Sequence, residues 1–193
     1  MALTARFEDA LVWATQLHSR QVRKGTQVPY IAHLLGATSI AMQYGADEDE
    51  AIAALLHDAV EDCGGEPTLR EIERRFGARV AAIVVGCTDS IVVPKPPWRQ
   101  RKESYLAHLR RTSSSVRLVS AADKLHNARA VVADYRVLGD ALWDRFRGGR
   151  EGTIWYYRAL VDAFQEAGTT PLVEELHRVV CELELLAAQE GDR

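Results

Sequence analysis

Apolar residues recur at helical spacing along nearly the whole chain, and no alternating run bounded by hairpin turns argues for a sheet. The pattern predicts an all-α fold. A first helix is expected over residues 6–20, with Phe7, Ala10, Leu11, Ala14 and Leu17 on one face. The polar stretch SRQVRKGTQVPY follows as a loop. A second helix should run from about 31 to 44 and stop at Gly45, a residue suited to the left-handed conformation that ends helices. Asp47 can cap the third helix, with Glu50 in the reciprocal position. In that helix Ile52, Leu55, Leu56, Ala59 and Val60 fall at i, i+3, i+4, i+7 and i+8, which fixes its buried side. Thr68 and Glu71 repeat the capping pattern before a short helix ending near Gly77, and another covers roughly 78–87. The stretch IVVPKPPW holds three of the six prolines and reads as a loop. Helices over about 99–112, 115–133, 138–146, 152–167 and 171–189 complete the chain, the last opened by Thr170 as cap and Pro171 in its first turn. About ten helices in one bundle, a single domain over 1–193, is the expected architecture.

Composition narrows the function. At 193 residues and 47% hydrophobic content the chain can bury one substantial core. A formal charge of −3, from 24 Lys+Arg against 27 Asp+Glu, gives no global cationic field, so no nucleic-acid partner is expected. A phosphorylated ligand must instead meet local basic residues. Cys63, Cys87 and Cys181 form no C-x-x-C pair, which argues against a disulfide framework and a thiolate metal site and for a cytoplasmic location. The start MALTARFEDALVW reads as neither a signal peptide nor a membrane span, and no membrane partner is expected.

The candidate chemistry lies in three places. In LLHDAVED, residues 55–62, helical spacing gathers His57, Asp58, Glu61 and Asp62 along one flank. Three carboxylates crowded beside a buried apolar stripe repel one another unless a cation or strong donor offsets them, and a divalent metal is the simplest remedy. Solvated acids at a helix end are the plainer alternative. In VRLVSAADKLHNAR, residues 116–129, Asp123, His126 and Asn127 share one face of an otherwise apolar helix. A buried carboxylate such as Asp123 needs a metal or a cation, and Arg129 or Lys124 could supply the latter. His33, in PYIAHLLGA, is a lone histidine at the start of the second helix, and such residues are more often core than ligand.

Together RKGTQVPYIAH (23–33), LLHDAVED (55–62), GCTDS (86–90) and SAADKLHNAR (120–129) resemble the HD superfamily of phosphohydrolases. The likeness is specifically to the hydrolase domain of the RelA/SpoT proteins and to the small alarmone hydrolases. By that resemblance His33, His57, Asp58 and Asp123 would ligate a metal, and the metal would be Mn2+; two imidazoles and two carboxylates also suit iron, cobalt or zinc. Glu61 and Asp62 match the family's pair that positions or deprotonates the attacking water. Arg23 and Lys24 match its basic pair near the base and phosphates, and Asn127 a residue that contacts substrate.

The resemblance implies removal of the 3′-pyrophosphate of guanosine tetra- or pentaphosphate, (p)ppGpp, to give GDP or GTP and pyrophosphate. The metal would lower the pKa of its water and polarise a phosphoryl oxygen. The same chemistry on an adenosine alarmone or NADPH, or a nucleotide-binding regulator without turnover, are the alternatives. The segments IVVPKPPWRQRK and FRGGREGTIWYYR depart from the long RelA/SpoT enzymes, although WYYRALVDAF is similar to the free-standing relatives. Lys95, Arg99, Arg101, Lys102, Arg147 and Arg150 could contact phosphate or simply be solvated. Gly148, Gly149 and Gly152 form no phosphate loop, since no G-K-[ST] follows. Trp155, Tyr156 and Tyr157 could flank the nucleotide or pack the core. Oligomeric state is not legible.

Overall fold

The structure, a computed structural model, describes residues 2–89 and 94–190. Ser90, the last residue of GCTDS, and residues 91–93 of the proline-rich loop lie outside these. The helices are α1 (Ala5–Leu17), α2 (Ile31–Gln43), α3 (Glu48–Leu56), α4 (Ala59–Asp62), α5 (Glu66–Phe76) and α6 (Ala78–Cys87). They continue with α7 (Trp98–Leu109), α8 (Ser114–Leu138), a 3-10 segment (Gly139–Arg145), α9 (Gly149–Ala167) and α10 (Pro171–Glu190). Among the described residues the extended pairing is one isolated bridge, Val22 with Pro29. The all-α expectation holds. No described helix is long and apolar enough to cross a membrane.

The residues fall into two compact units, one running up to Lys95 and including Thr112–Asp123, the other formed by Pro96–Arg111 and the chain from Lys124 onward. In the first, α3 packs against α1, α2 and α6, and Ala51 to Leu56 are all buried. Its start is fixed by the expected capping box: Glu50 N donates to Asp47 Oδ1 at 3.0 Å and Asp47 N to Glu50 Oε2 at 2.8 Å. Gly45 takes a φ of 90° at the turn before it. In α6, Gly86 allows a close approach of α8, since a Cβ there would lie 2.5 Å from Val116 Cγ2.

The structure corrects several boundaries, among them the ends of the first helix, at Leu17, and of α7, at Leu109, and the start of α9, at Gly149. Thr68 is not a cap: α5 begins two residues earlier, after Gly64 and Gly65, and the Thr68 hydroxyl donates to Cys63 O at 2.7 Å. A Cβ at Gly64 would stand 2.7 Å from that hydroxyl oxygen, so the small residue makes room for the bond. The third helix stops at Leu56 and resumes as α4 after a break at His57 and Asp58. The helix expected from 115 to 133 continues to Leu138, and the one expected over 138–146 is a 3-10 segment.

In the second unit α9 packs against α7 and α10. The indole of Trp98 lies against Gly148 and Gly152, where an added Cβ would come within 2.7 and 3.2 Å of its ring atoms. These glycines thus admit an aromatic side chain. Trp155 and Tyr156 pack edge-on against the same indole, and the Arg99 guanidinium covers the Trp155 ring at 3.2 Å. Thr170 Oγ1 accepts from Val173 N at 3.3 Å, the expected cap of α10.

Candidate metal centre and hydrolytic site

Three separate elements of the first unit deliver the polar residues to one place. Tyr30 ends the loop and sets up α2, so that His33 falls in the first helical turn, pointing inward and 1% exposed. α3 is buried from Ala51 to Leu56, and His57, the residue that caps its C-terminus, is carried inward with it, 3% exposed. The break after Leu56 then turns Asp58 onto the same spot. Asp123 comes from the buried side of α8, between Ala122 and Leu125, and is 5% exposed.

The distances are short. His33, His57 and Asp58 each offer a ligand atom, all within 4.8 Å of one another. Asp123 Oδ1 lies 3.2 Å from His33 Nε2 and 3.5 Å from His57 Nε2, and Asp58 Oδ2 lies 3.7 and 3.0 Å from the same two nitrogens. His57 Nδ1 is 2.9 Å from Ala54 O; a carbonyl only accepts, so Nδ1 holds the hydrogen. In the neutral ring Nε2 then carries a lone pair, buried and without a hydrogen-bond partner among the described residues, and facing two carboxylate oxygens.

Lone pairs set against one another demand a cation. A proton on His57 is one solution: burial opposes the charged ring, yet Asp58 and Asp123 together hold its pKa well above the ordinary 6.5. Asp58 responds in the opposite sense: burial works against its ionised form, but His57 and the two imidazole hydrogen bonds keep its carboxyl well below the usual range. A divalent metal is the other solution, and two imidazole nitrogens with two carboxylate oxygens are a donor set that fits one. The backbone bond at His57 Nδ1 fixes the ring tautomer as ligating histidines require. Of the cationic residues near Asp123 in sequence, Arg129 pairs with Glu175 at 3.0 Å, and Lys124 Nζ sits 5.3 Å above the Tyr105 ring.

Around this cluster, Glu61 Oε1 accepts from Lys95 Nζ at 2.7 Å and Asp62 Oδ2 from Gln21 Nε2 at 2.8 Å. Arg23 and Lys24 occupy a tight loop closed by Arg23 N to Val28 O at 2.9 Å and by Gly25 at a φ of 75°, with Lys24 exposed. Asn127 is half-buried one turn beyond Asp123 on α8 and belongs to the second unit. Sequence reasoning missed Tyr30, whose hydroxyl donates to Asp58 Oδ2 at 2.6 Å, and also Gln21 and His18. Burial and Asp58 push the Tyr30 pKa far up, so it remains a donor. The available signal was position alone: Tyr30 stands three residues before His33.

Comparison with known proteins bears on the family and the fold. The HD domain model matches residues 10–154. The guanosine-3′,5′-bis(diphosphate) 3′-pyrophosphohydrolase MESH1 of Xenopus tropicalis is 40% identical over 124 residues, 63% of this chain and 66% of that protein. The matched stretch thus spans about two thirds of the relative's length. The bifunctional (p)ppGpp synthase/hydrolase SpoT of Escherichia coli is 28% identical over 97% of this chain and 27% of its own. Among solved structures, a metazoan ortholog of SpoT that hydrolyzes ppGpp superposes with a TM-score of 0.76 at 26% identity, covering 99% of this chain and 98% of that one. With the family model spanning most of the sequence and the fold shared from end to end, the chain belongs to the HD domain family.

Proposed function

We propose that this chain is a metal-dependent hydrolase that removes the 3′-pyrophosphate of (p)ppGpp, giving GDP or GTP and pyrophosphate. The observation that carries the reading is the convergence of His33, His57, Asp58 and Asp123, with the buried His57 Nε2 aimed at two carboxylate oxygens. The named activities of the relatives point to the same substrate. Residues 1–193 work in this reading as one HD hydrolase domain in the cytoplasm, acting on a small-molecule nucleotide.

His33 Nε2, His57 Nε2, Asp58 Oδ2 and Asp123 Oδ1 would hold the metal, and Mn2+ is the ion proposed. When bound, it supplies Lewis acidity, lowering the pKa of coordinated water and polarising a phosphoryl oxygen. The chain's own residues do the rest. Glu61 or Asp62, side by side on α4, orients the attacking water and accepts its proton, a contribution typically worth about 10²- to 10⁴-fold. Arg23 and Lys24 on the 21–30 loop meet the base and phosphates, and Asn127 contacts the nucleotide. Tyr30 holds Asp58 by donating its hydroxyl hydrogen to Oδ2, the oxygen that faces the two imidazoles, and a carboxylate oxygen has a further lone pair for a metal.

Incubation with Mn2+ and a panel of 3′-pyrophosphorylated guanosine and adenosine nucleotides, NADPH and ordinary NTPs tests the proposal. Pyrophosphate release from the guanosine compounds is expected; turnover confined to another member, or none with metal bound, refutes it.

A further inference from the structure

Behind the proposed hydrolytic pair lies a chain of side chains that the function above does not use. Gln21 Nε2 donates to Asp62 Oδ2 at 2.8 Å, and Gln21 Oε1 lies 2.6 Å from His18 Nδ1. The directions are fixed by chemistry. A carboxylate only accepts, so the Gln21 amide must turn its NH2 to Asp62, and its oxygen must then accept from His18 Nδ1–H. His18 itself has no freedom to wander: it is 2% exposed, and its ring stacks on Tyr30 with centroids 5.2 Å apart and planes 21° from parallel. Cys63 Sγ lies 3.7 Å from both of its ring nitrogens. Burial and the charges of Asp62 and Asp58 push that thiol up to about 11, so it stays a neutral neighbour near pH 7.

The backbone ties the same parts together. Tyr30 N donates to Gln21 O at 2.9 Å, and Val22 bridges Pro29, so the two ends of the loop bearing Arg23 and Lys24 are clamped to each other. One end carries Gln21 to Asp62, and the other carries Tyr30 to Asp58. The two carboxylates of α4 therefore differ in kind. Glu61 meets the long, charged Lys95, whereas Asp62 is held by a neutral amide whose own orientation is set by a buried ring.

We propose that Gln21, with its amide oriented by His18, is a positioning residue that holds the Asp62 carboxylate in the rotamer needed to handle the attacking water. The inference rests on the proposed function and takes Asp62 as the member of the Glu61–Asp62 pair that handles the water. A general base contributes about 10²- to 10⁴-fold, so releasing its carboxylate into free rotation should cost a part of that, about tenfold in kcat. Substrate binding does not pass through this bond, so KM should hold.

The test is a double-mutant cycle on the Mn2+-loaded full chain with ppGpp. Gln21→Met keeps the side-chain length and removes both hydrogen bonds; it should lower kcat about tenfold with KM and Mn2+ stoichiometry unchanged. In an Asp62→Ala background the same change should cost less than about twofold, because the residue it acts through is gone. His18→Phe, which keeps the stacked ring and removes the donor, should reproduce part of the kcat loss. An equal loss with and without Asp62, or a loss confined to KM, overturns the proposal. The wild-type arm separately tests the substrate: no pyrophosphate released would sink the (p)ppGpp reading while leaving the Gln21 link measurable. In that event the side-chain amide resonance of Gln21, identified by its loss in Gln21→Met, should move on Asp62→Ala; an unmoved resonance overturns the positioning role.

Discussion

Replacing Gly86 by alanine sets two physical effects against each other at a position that governs the site. Gly86 lies in α6, and an open helical position gains about 0.5–1 kcal/mol when glycine becomes alanine. Propensity alone therefore predicts a more stable protein. The structure predicts the reverse. The new Cβ would stand 2.5 Å from Val116 Cγ2 and 2.9 Å from Cγ1, separations that no real contact shows. Val116 is 6% exposed and β-branched, so its methyls cannot swing away as the tip of a flexible chain would. Overpacking of this kind costs about 1–3 kcal/mol, and subtracting the propensity gain leaves a net loss of about 0–2.5 kcal/mol, centred near 1.

For a chain of this length a loss of about 1 kcal/mol lowers Tm by about 2–4 °C, readable by thermal unfolding of the metal-free protein. The clash also pushes on α8, which carries Asp123 two turns beyond Val116, and a site must be held within about 0.5 Å to work fully. The stabilisation gained on adding Mn2+ should shrink as well. Val116→Ala in the same chain removes both offending methyls and should recover most of the Mn2+ increment. A Gly86→Ala protein at least as stable as wild type, with an unchanged metal increment, would refute the packing argument.

Three further outcomes are expected. Asp58→Ala should abolish Mn2+ binding, while Glu61→Ala should keep the metal and lose rate; isothermal titration beside a pyrophosphate assay separates them, and equal metal loss in both breaks the division of roles. His57 has a raised pKa in the metal-free protein, so its stabilising proton is fully present below the ordinary 6.5 and is lost as pH rises through the folded value. Metal-free stability should fall over that rise. Because the metal needs the neutral Nε2, Mn2+ should bind more tightly over the same range with release of a proton, and titrations in buffers of different ionisation enthalpy measure it. Asp47→Ala, which removes the acceptor of the α3 capping box and a partner of Arg79, should cost about 0.5–2 kcal/mol in urea unfolding.

Which of these features the sequence foretold follows from how local their causes are. The Asp47–Glu50 box and Gly45 are decided within a few residues, and both form as expected. Thr68 and Glu71 have the same spacing but do not form a box, because Gly64, Gly65 and Pro67 start the helix earlier and leave the threonine inside it. Glu71 instead pairs with Arg74 and Arg75. The glycines at 148 and 152 look like loop residues until Trp98, some fifty positions away, is seen to need their missing side chains.

The candidate site divides on the same principle. His57, Asp58 and Asp123 announce themselves because charge and imidazole set among apolar residues violate the pattern around them, and desolvation makes such a violation costly unless a partner exists. Gln21, His18 and Tyr30 violate nothing: a glutamine and a tyrosine in a polar loop, and a histidine at a helix end, are unremarkable where they stand. Their work depends on the loop closing through the Val22–Pro29 bridge, a pairing with no periodicity to betray it. The groups that would hold the metal are thus legible from the energy they would waste if left alone, whereas the groups that aim those ligands become legible only once the chain is folded. A polar residue that makes a neutral hydrogen bond to a charged one is therefore the kind of functional side chain that sequence patterns conceal and geometry reveals.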